Sequence, residues 1–171
     1  MIVSGDEIAH QALRDPQLRT RIVERFGHEI LGPDGEIVRK KLAGPVFADE
    51  SNRHALEAFV FPWIGAKASQ KIDEARRNPQ SRFIIFDAAV MLEAGWNKVC
   101  DRIVYVHAPR EARVARLLER GWTLEQIAAR ERAQLPLTEK ARRADAALDN
   151  GGSPDDVARQ IDRLLNEWSI C

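Results

Sequence analysis

The sequence lacks several features that define whole classes of protein. Its 171 residues include only two cysteines, Cys100 and Cys171, and four histidines, and neither set has the spacing of a zinc site. No apolar run approaches the ~18 residues that a membrane-spanning helix needs, and no signal-like segment follows Met1. The 26 basic residues balance 26 acidic ones. These absences argue against a disulfide scaffold, a zinc protein, a membrane protein and a nonspecific nucleic-acid binder, and we expect a cytoplasmic protein.

A further absence concerns phosphate-binding loops. None of the ten glycines begins a Gly-x-x-x-x-Gly-Lys-Ser/Thr loop, and the chain has no Gly-x-Gly-x-x-Gly motif. Turn-forming residues are dense only in the short segments 32–35 and 150–154, and no repeat is present. We therefore expect a single domain over residues 1–171.

Apolar patterning predicts an α/β fold. The runs 83–86 and 103–106 predict strands of a parallel sheet that are buried on both faces, and residues 2–3 predict the end of another strand. Apolar stripes at helical spacing predict helices over most of the remaining chain, with Pro62 as a kink or restart in one of them. Because helices alternate with strands, we expect a three-layer fold around a parallel sheet.

Polar residues at the strand ends are the first candidates for chemistry, since α/β folds bind ligands at the carboxyl ends of their strands. Asp6 follows the first strand fragment and is either a base that accepts a proton from a substrate hydroxyl or a helix N-cap. Asp87 follows the run 83–86 and is either a ligand of Mg²⁺ or an ordinary turn residue. His107 follows the run 103–106.

Basic residues are concentrated between 110 and 143, where nine Lys or Arg stand against five Glu. Arg113, Arg116 and Arg120 share one helix face. They form either a phosphate clamp, which suits the planar guanidinium fork, or a solvated face with ion pairs along the helix. Beyond them, three polar residues precede two glycines and form either a loop that contacts a base or ribose or a plain turn: Asp145, Asp149 and Asn150.

Several segments match, in order, the motifs of one enzyme family. Residues 3–10 (Val-Ser-Gly-Asp-Glu-Ile-Ala-His) resemble Ile-Asp-Ala-Asp-x-Ile-Ala-His, and residues 34–39 (Asp-Gly-Glu-Ile-Val-Arg) resemble Asp-Gly-x-Leu-x-Arg. Residues 90–93 stand where the family has Leu-Leu-Phe-Glu, and residues 144–152 resemble Ala-Asp-x-x-Ile-Asp-Asn-x-Gly. Other family residues recur at matching spacing: Arg116, Arg120, Thr123, Glu125, Arg130, Gln134 and Lys140. The chain thus resembles the dephospho-coenzyme A (dephospho-CoA) kinases from Val3 to about Trp168.

This resemblance implies a P-loop kinase-like fold that transfers a phosphoryl group from ATP to the ribose 3′-hydroxyl of dephospho-CoA, with Mg²⁺. It implies that Asp6 is the base and that Arg39 belongs to a helical region, about 27–80, that holds dephospho-CoA. It implies a lid of about residues 110–143 that closes over the phosphates with Arg116, Arg120 and Arg130, and it brings Asn150 near the adenine. Partners are expected to be these two small molecules, without nucleic acid, membrane or an obligate protein partner.

The sequence also departs from the family. Ser4 replaces the first aspartate of its Asp-x-Asp pair, Phe61 replaces the histidine of a His-Pro dipeptide, and Ala89 replaces a proline. The family's first strand, P-loop and first helix have no counterpart, so we expect an N-terminally incomplete chain with these elements encoded upstream of Met1. Two alternatives stay open: a non-catalytic CoA- or nucleotide-binding module that has lost its ATP site, and another nucleoside-monophosphate-type kinase.

Overall fold

The computed structural model describes residues 1–170, and Cys171 lies outside the described residues. The chain divides into two compact units, one over Met1–Ala89 and one from Val90 onward. The first contains β1 (Ile2–Ser4), α1 (Gly5–Ala12), α2 (Pro16–Phe26), α3 (Arg39–Ala48), α4 (Glu50–Arg76) and β2 (Ile85–Asp87). The second contains β3 (Val104–His107), α5 (Arg110–Glu119), α6 (Leu124–Ala133), α7 (Leu137–Arg142), β4 (Ala146–Asp149) and α8 (Pro154–Glu167). The expectation of a single domain over 1–171 stays a prediction.

Each unit holds one pair of parallel strands. In the first, β1 pairs with β2 so that Ser4 lies opposite Asp87. In the second, β3 pairs with β4 so that His107 lies opposite Asp149. The predicted combination of helices with parallel strands is therefore confirmed. Over residues 1–170, every helix is too short or too polar to cross a membrane.

The long helix α4 organises the core of the first unit. It packs against α1, α2 and α3, and the side chains of Ile8 and Ile22 are completely buried there. Of the two alternatives at Pro62, a restart is wrong, because α4 runs through this residue without interruption, and a kink stays a prediction. Ile64 and Ala68 follow Pro62 and are buried, so packing holds the helix together where the proline removes one backbone hydrogen bond.

Local capping sets the helix boundaries of the second unit. Thr123 and Gln126 form a reciprocal capping box at the start of α6, and Ser153 and Asp156 form another at the start of α8. In such a box each side chain satisfies a backbone N–H that has no partner within the helix. The Thr-x-x-Gln spacing of the first box is visible in the sequence, and α5 begins at Arg110.

The expectation that the strands are buried on both faces is wrong within these units. Ile2, Ile85 and Val106 are 70%, 46% and 55% exposed. Burial alternates along β1 and β4 because α4 contacts β1 and α8 contacts β4, which covers one face of each strand pair. An uninterrupted apolar run does not distinguish strands covered on one face from strands covered on both.

We predict that Ile8→Ala destabilises the protein far more than the same change at Ile161. Ile8 is 0% exposed and Ile161 is 40% exposed. Truncation of a buried isoleucine removes apolar burial and leaves a cavity, which together cost ~2–5 kcal/mol. Urea unfolding of both variants measures the difference, and equal losses would show that Ile8 does not lie in a packed core.

Candidate functional site

Two polar residues singled out in the sequence meet at one end of the first strand pair. Asp87 is the last residue of β2, and Asp6 is the second residue of α1, which begins directly after β1. A Cβ on the intervening Gly5 would lie 3.1 Å from the carbonyl oxygen of Asp87 and 3.0 Å from the Cβ of Ala88. Glycine thus allows the start of α1 to approach the end of β2 closely.

The capping of α1 tests the N-cap interpretation of Asp6. Ser4 is the N-cap, and its Oγ accepts a hydrogen bond of 3.3 Å from the backbone N–H of Glu7. The N-cap interpretation of Asp6 is therefore wrong. The Asp6 side chain is exposed and makes no hydrogen bond or ion pair with any residue in the range 1–170. Its carboxylate is available to a ligand at the carboxyl end of the strands.

Arg39 lies at the start of α3, on the side of α1 that carries Asp6. Its guanidinium contacts the imidazole of His10. His10 follows Asp6 by four residues on α1, and residues at this spacing share one helix face. The first turn of α3 has no side-chain cap and no acidic residue, and Lys40 follows Arg39. A positive helix terminus next to two cationic side chains favours phosphate groups.

The carboxylate of Asp87 is the candidate ligand for a divalent cation in the first unit, whereas Asp6 is the candidate base. Among residues 1–170, no cluster of three or more His, Cys, Asp or Glu side chains has the arrangement of a metal site. Mg²⁺ is usually bound by one or two carboxylates together with phosphates of the substrate. This end of the strand pair therefore fits Mg²⁺ that arrives with phosphates, and it does not fit a cage made only of protein side chains.

The loop after β4 holds Asn150 by its backbone and leaves the side chain unpaired. The Asn150 N–H donates to the His107 carbonyl over 2.7 Å, and its own carbonyl accepts from Arg116 over 3.0 Å. A Cβ on the next residue, Gly151, would lie 2.8 Å from Cδ of Pro109, so glycine permits this close packing. Within residues 1–170, the Asn150 amide group makes no hydrogen bond. Two of the predicted site residues, Arg116 and Asn150, are thus brought into contact.

The arginines of the 110–143 region differ in their partners. Arg110 and Arg113 both donate to Glu131, over 3.0 and 3.1 Å, and so connect α5 to α6. Arg130 stacks over the Trp122 ring, 4.4 Å from its centroid. In the described part of the chain, Arg116 and Arg120 form no ion pair. Arg113 is thus ion-paired with another helix and not along its own helix as the second interpretation had it, whereas Arg116 and Arg120 have no carboxylate partner among residues 1–170.

One residue that orders this site was not identified from the sequence. The side chain of Gln160, on α8, accepts from the Asp149 N–H over 2.8 Å and donates to the Asp149 carbonyl over 2.9 Å. It thus satisfies both backbone groups of the residue before Asn150, much as a neighbouring strand would. A single glutamine on a polar helix face carries no sequence signal for this contact.

Comparisons with known proteins agree on one family. The sequence profile of the family described as Dephospho-CoA kinase matches residues 1–156. Dephospho-CoA kinase of Bacillus licheniformis is 35% identical over 170 residues, which cover 98% of this chain and 84% of the relative. The enzyme of the same name from Anaeromyxobacter dehalogenans is 38% identical, with 96% and 78% covered.

Solved structures of similar fold agree with the sequence matches. A crystal structure of TT1252 from Thermus thermophilus has a TM-score of 0.76 and 30% identity, and covers 97% of this chain and 83% of its own. Dephospho-CoA kinase from Campylobacter jejuni has a TM-score of 0.67 and 26% identity, with 98% and 84% covered.

We predict that the contacts between α5 and α6 weaken only at acidic pH. Hydrogen bonds from Arg110 and Arg113 lower the pKa of Glu131, with the bond from Arg110 as the largest cause. Because the folded pKa lies below the unfolded one, this stabilisation is present above the unfolded pKa and is lost as pH falls through the folded pKa. Carboxyl NMR titration should show the Glu131 pKa rising in Arg110→Met and staying constant in Arg132→Met. An unchanged Glu131 titration in Arg110→Met would contradict the pairing.

Proposed function

The chain belongs to the dephospho-CoA kinase family, and we propose that it transfers the γ-phosphoryl group of ATP to the ribose 3′-hydroxyl of dephospho-CoA, the last step of CoA biosynthesis. The observation that carries this proposal is the exposed, unpaired carboxylate of Asp6 at the carboxyl end of the β1–β2 pair. In parallel α/β folds, this is the end at which substrates bind.

Asp6 acts as the general base in the proposed reaction. Its carboxylate accepts the proton of the 3′-hydroxyl while the ribose oxygen bonds to the γ-phosphorus and the bond to the leaving ADP breaks. Ser4 supports this role because it caps α1 and leaves the Asp6 carboxylate unoccupied. The start of α1 stabilises the negative charge before the proton is accepted.

Arg39 binds the phosphates of dephospho-CoA in this proposal. Its position at the uncapped start of α3 gives a guanidinium and a positive helix terminus at one point. Its contact with His10 supports a substrate position near the Asp6 face of α1. The helices of the 27–80 region, α3 and α4, would then hold the remainder of the acceptor.

The nucleotide side of the reaction is assigned to the second unit. Asn150 lies near the adenine, and the 110–143 region closes over the phosphates as a lid with Arg116, Arg120 and Arg130. Positioning and electrostatic stabilisation supply most of the rate of phosphoryl transfer, so the cations of Arg116 and Arg120, which have no carboxylate partner among residues 1–170, suit this task. Asp87 would hold Mg²⁺, which neutralises charge on the phosphates when bound.

The proposal includes a cytoplasmic location and only small-molecule partners, ATP and dephospho-CoA. Cys100 is a free thiol, as is usual in a reducing compartment.

Asp6→Asn should lower kcat by about 10²-fold or more, with both KM values nearly unchanged, because it removes the base and retains the size of the side chain. The matched control is Glu7→Gln, a carboxyl-to-amide change at the neighbouring exposed residue, which should retain kcat. Steady-state kinetics with ATP, Mg²⁺ and dephospho-CoA provide the measurement. An unaffected rate in Asp6→Asn would exclude Asp6 as the base.

Arg39→Met should raise KM for dephospho-CoA by about tenfold, since a charge-assisted hydrogen bond to phosphate is lost. KM for ATP should stay within twofold, and Arg163→Met, which changes an exposed arginine on α8, should leave both constants unchanged.

The same assay with AMP in place of dephospho-CoA tests which acceptor the enzyme uses. Faster turnover of AMP would favour a nucleoside-monophosphate kinase, and binding of dephospho-CoA without turnover would favour a non-catalytic module.

A further inference from the structure

Glu93 and Lys140 form the most buried ion pair of the described chain. Their side chains are 15% and 11% exposed, and Lys140 Nζ lies 2.9 Å from Oε1 of Glu93. The same Oε1 accepts a hydrogen bond of 2.9 Å from the backbone N–H of Leu135. Lys140 Nζ also donates to Oε1 of Gln134 over 2.8 Å. Four residues separated by up to 47 positions thus form one polar cluster.

This cluster attaches the connection between α6 and α7 to the turn that contains Glu93. Gln134 is the C-cap of α6, and Leu135 and Pro136 lead into α7, which carries Lys140. The helix α6 carries Arg130 and is joined to α5 through Glu131. The connection at 134–136 therefore attaches the end of the proposed lid to the turn at Glu93, which lies outside the lid.

Stability alone does not account for the charges of this pair. Oε2 of Glu93 is buried and has no hydrogen-bond partner among residues 1–170. Burial of two charges carries a desolvation cost that apolar side chains of similar volume avoid, and such replacements are often neutral or stabilising. The charged pair makes directional hydrogen bonds that apolar side chains could not make. These bonds hold the Leu135 backbone and the Gln134 side chain in one geometry.

We propose that Glu93 and Lys140 are positioning residues, which fix the base of the lid so that its arginines meet the phosphates in one orientation. They act through residues 134–135 and α6, and they do not touch the substrate themselves. This proposal rests on the proposed function, because it assigns residues 110–143 to phosphate binding.

The experiment compares the wild-type protein with the double variant Glu93→Leu/Lys140→Met, in which packing is retained and the charges are removed. Hydrogen exchange of the Leu135 amide reports the anchor without any need for activity. We expect exchange at Leu135 to become about tenfold faster and kcat to fall about tenfold, with KM for dephospho-CoA within twofold. Arg159→Met removes an exposed ion pair of α8 and is the matched control, expected to change neither quantity.

An unchanged exchange rate at Leu135 would show that the Glu93–Lys140 pair does not hold the Leu135 backbone in place. Faster exchange with wild-type kcat, measured well below the unfolding temperature, would overturn the positioning role and leave only a structural one. If the double variant does not fold, Glu93→Gln should give smaller changes in the same direction, and wild-type behaviour of that variant would overturn the proposal. If the wild-type protein does not turn over dephospho-CoA, the proposed function is contradicted instead. The exchange rate at Leu135 then still tests whether the Glu93–Lys140 pair holds residues 134–135.

Discussion

The candidate site depends on how closely the start of α1 approaches the end of β2. Gly5 allows this approach, since a side chain there would meet the Asp87 carbonyl at 3.1 Å. Ser4 pairs in register with Asp87 and also caps α1. Because the Ser4 hydroxyl caps α1, the carboxylate of Asp6 has no structural contact to maintain. Packing and capping thus leave the Asp6 carboxylate exposed at the carboxyl end of the strands.

In the second unit, backbone contacts likewise leave a polar side chain, that of Asn150, without a hydrogen-bond partner among residues 1–170. Asn150 is held through its N–H by His107 and through its carbonyl by Arg116, while Gly151 packs against Pro109. These contacts satisfy the backbone and leave the amide side chain unpaired. A side chain whose backbone is fixed loses little further freedom when it binds a ligand, so the order at this loop favours recognition.

Local signals explain which parts of this structure could be predicted from the sequence. The start of α6 at Thr123 follows from residues three positions apart, and the parallel pairing follows from the alternation of helices and strands. The N-cap interpretation of Asp6 failed because the N-cap of α1 is Ser4, two residues earlier, and Asp6 lies within the first turn. Contacts such as Glu93 with Lys140 join distant positions and leave no periodic pattern, so they become visible only in the fold.

The charge pattern of the 110–143 region shows why pairing has to be known before a role is assigned. At helical spacing, Arg113, Arg116 and Arg120 are equivalent, and a count of charges gives each the same weight. The structure separates them, because Glu131 neutralises Arg113 whereas the other two have no carboxylate partner among residues 1–170. A guanidinium paired with a carboxylate would have to give up that carboxylate before it could bind a phosphate oxygen, whereas Arg116 would give up only a hydrogen bond to the neutral carbonyl of Asn150. In the proposed function, phosphate binding by this region therefore depends on which arginines lack a carboxylate partner, and not on its net charge.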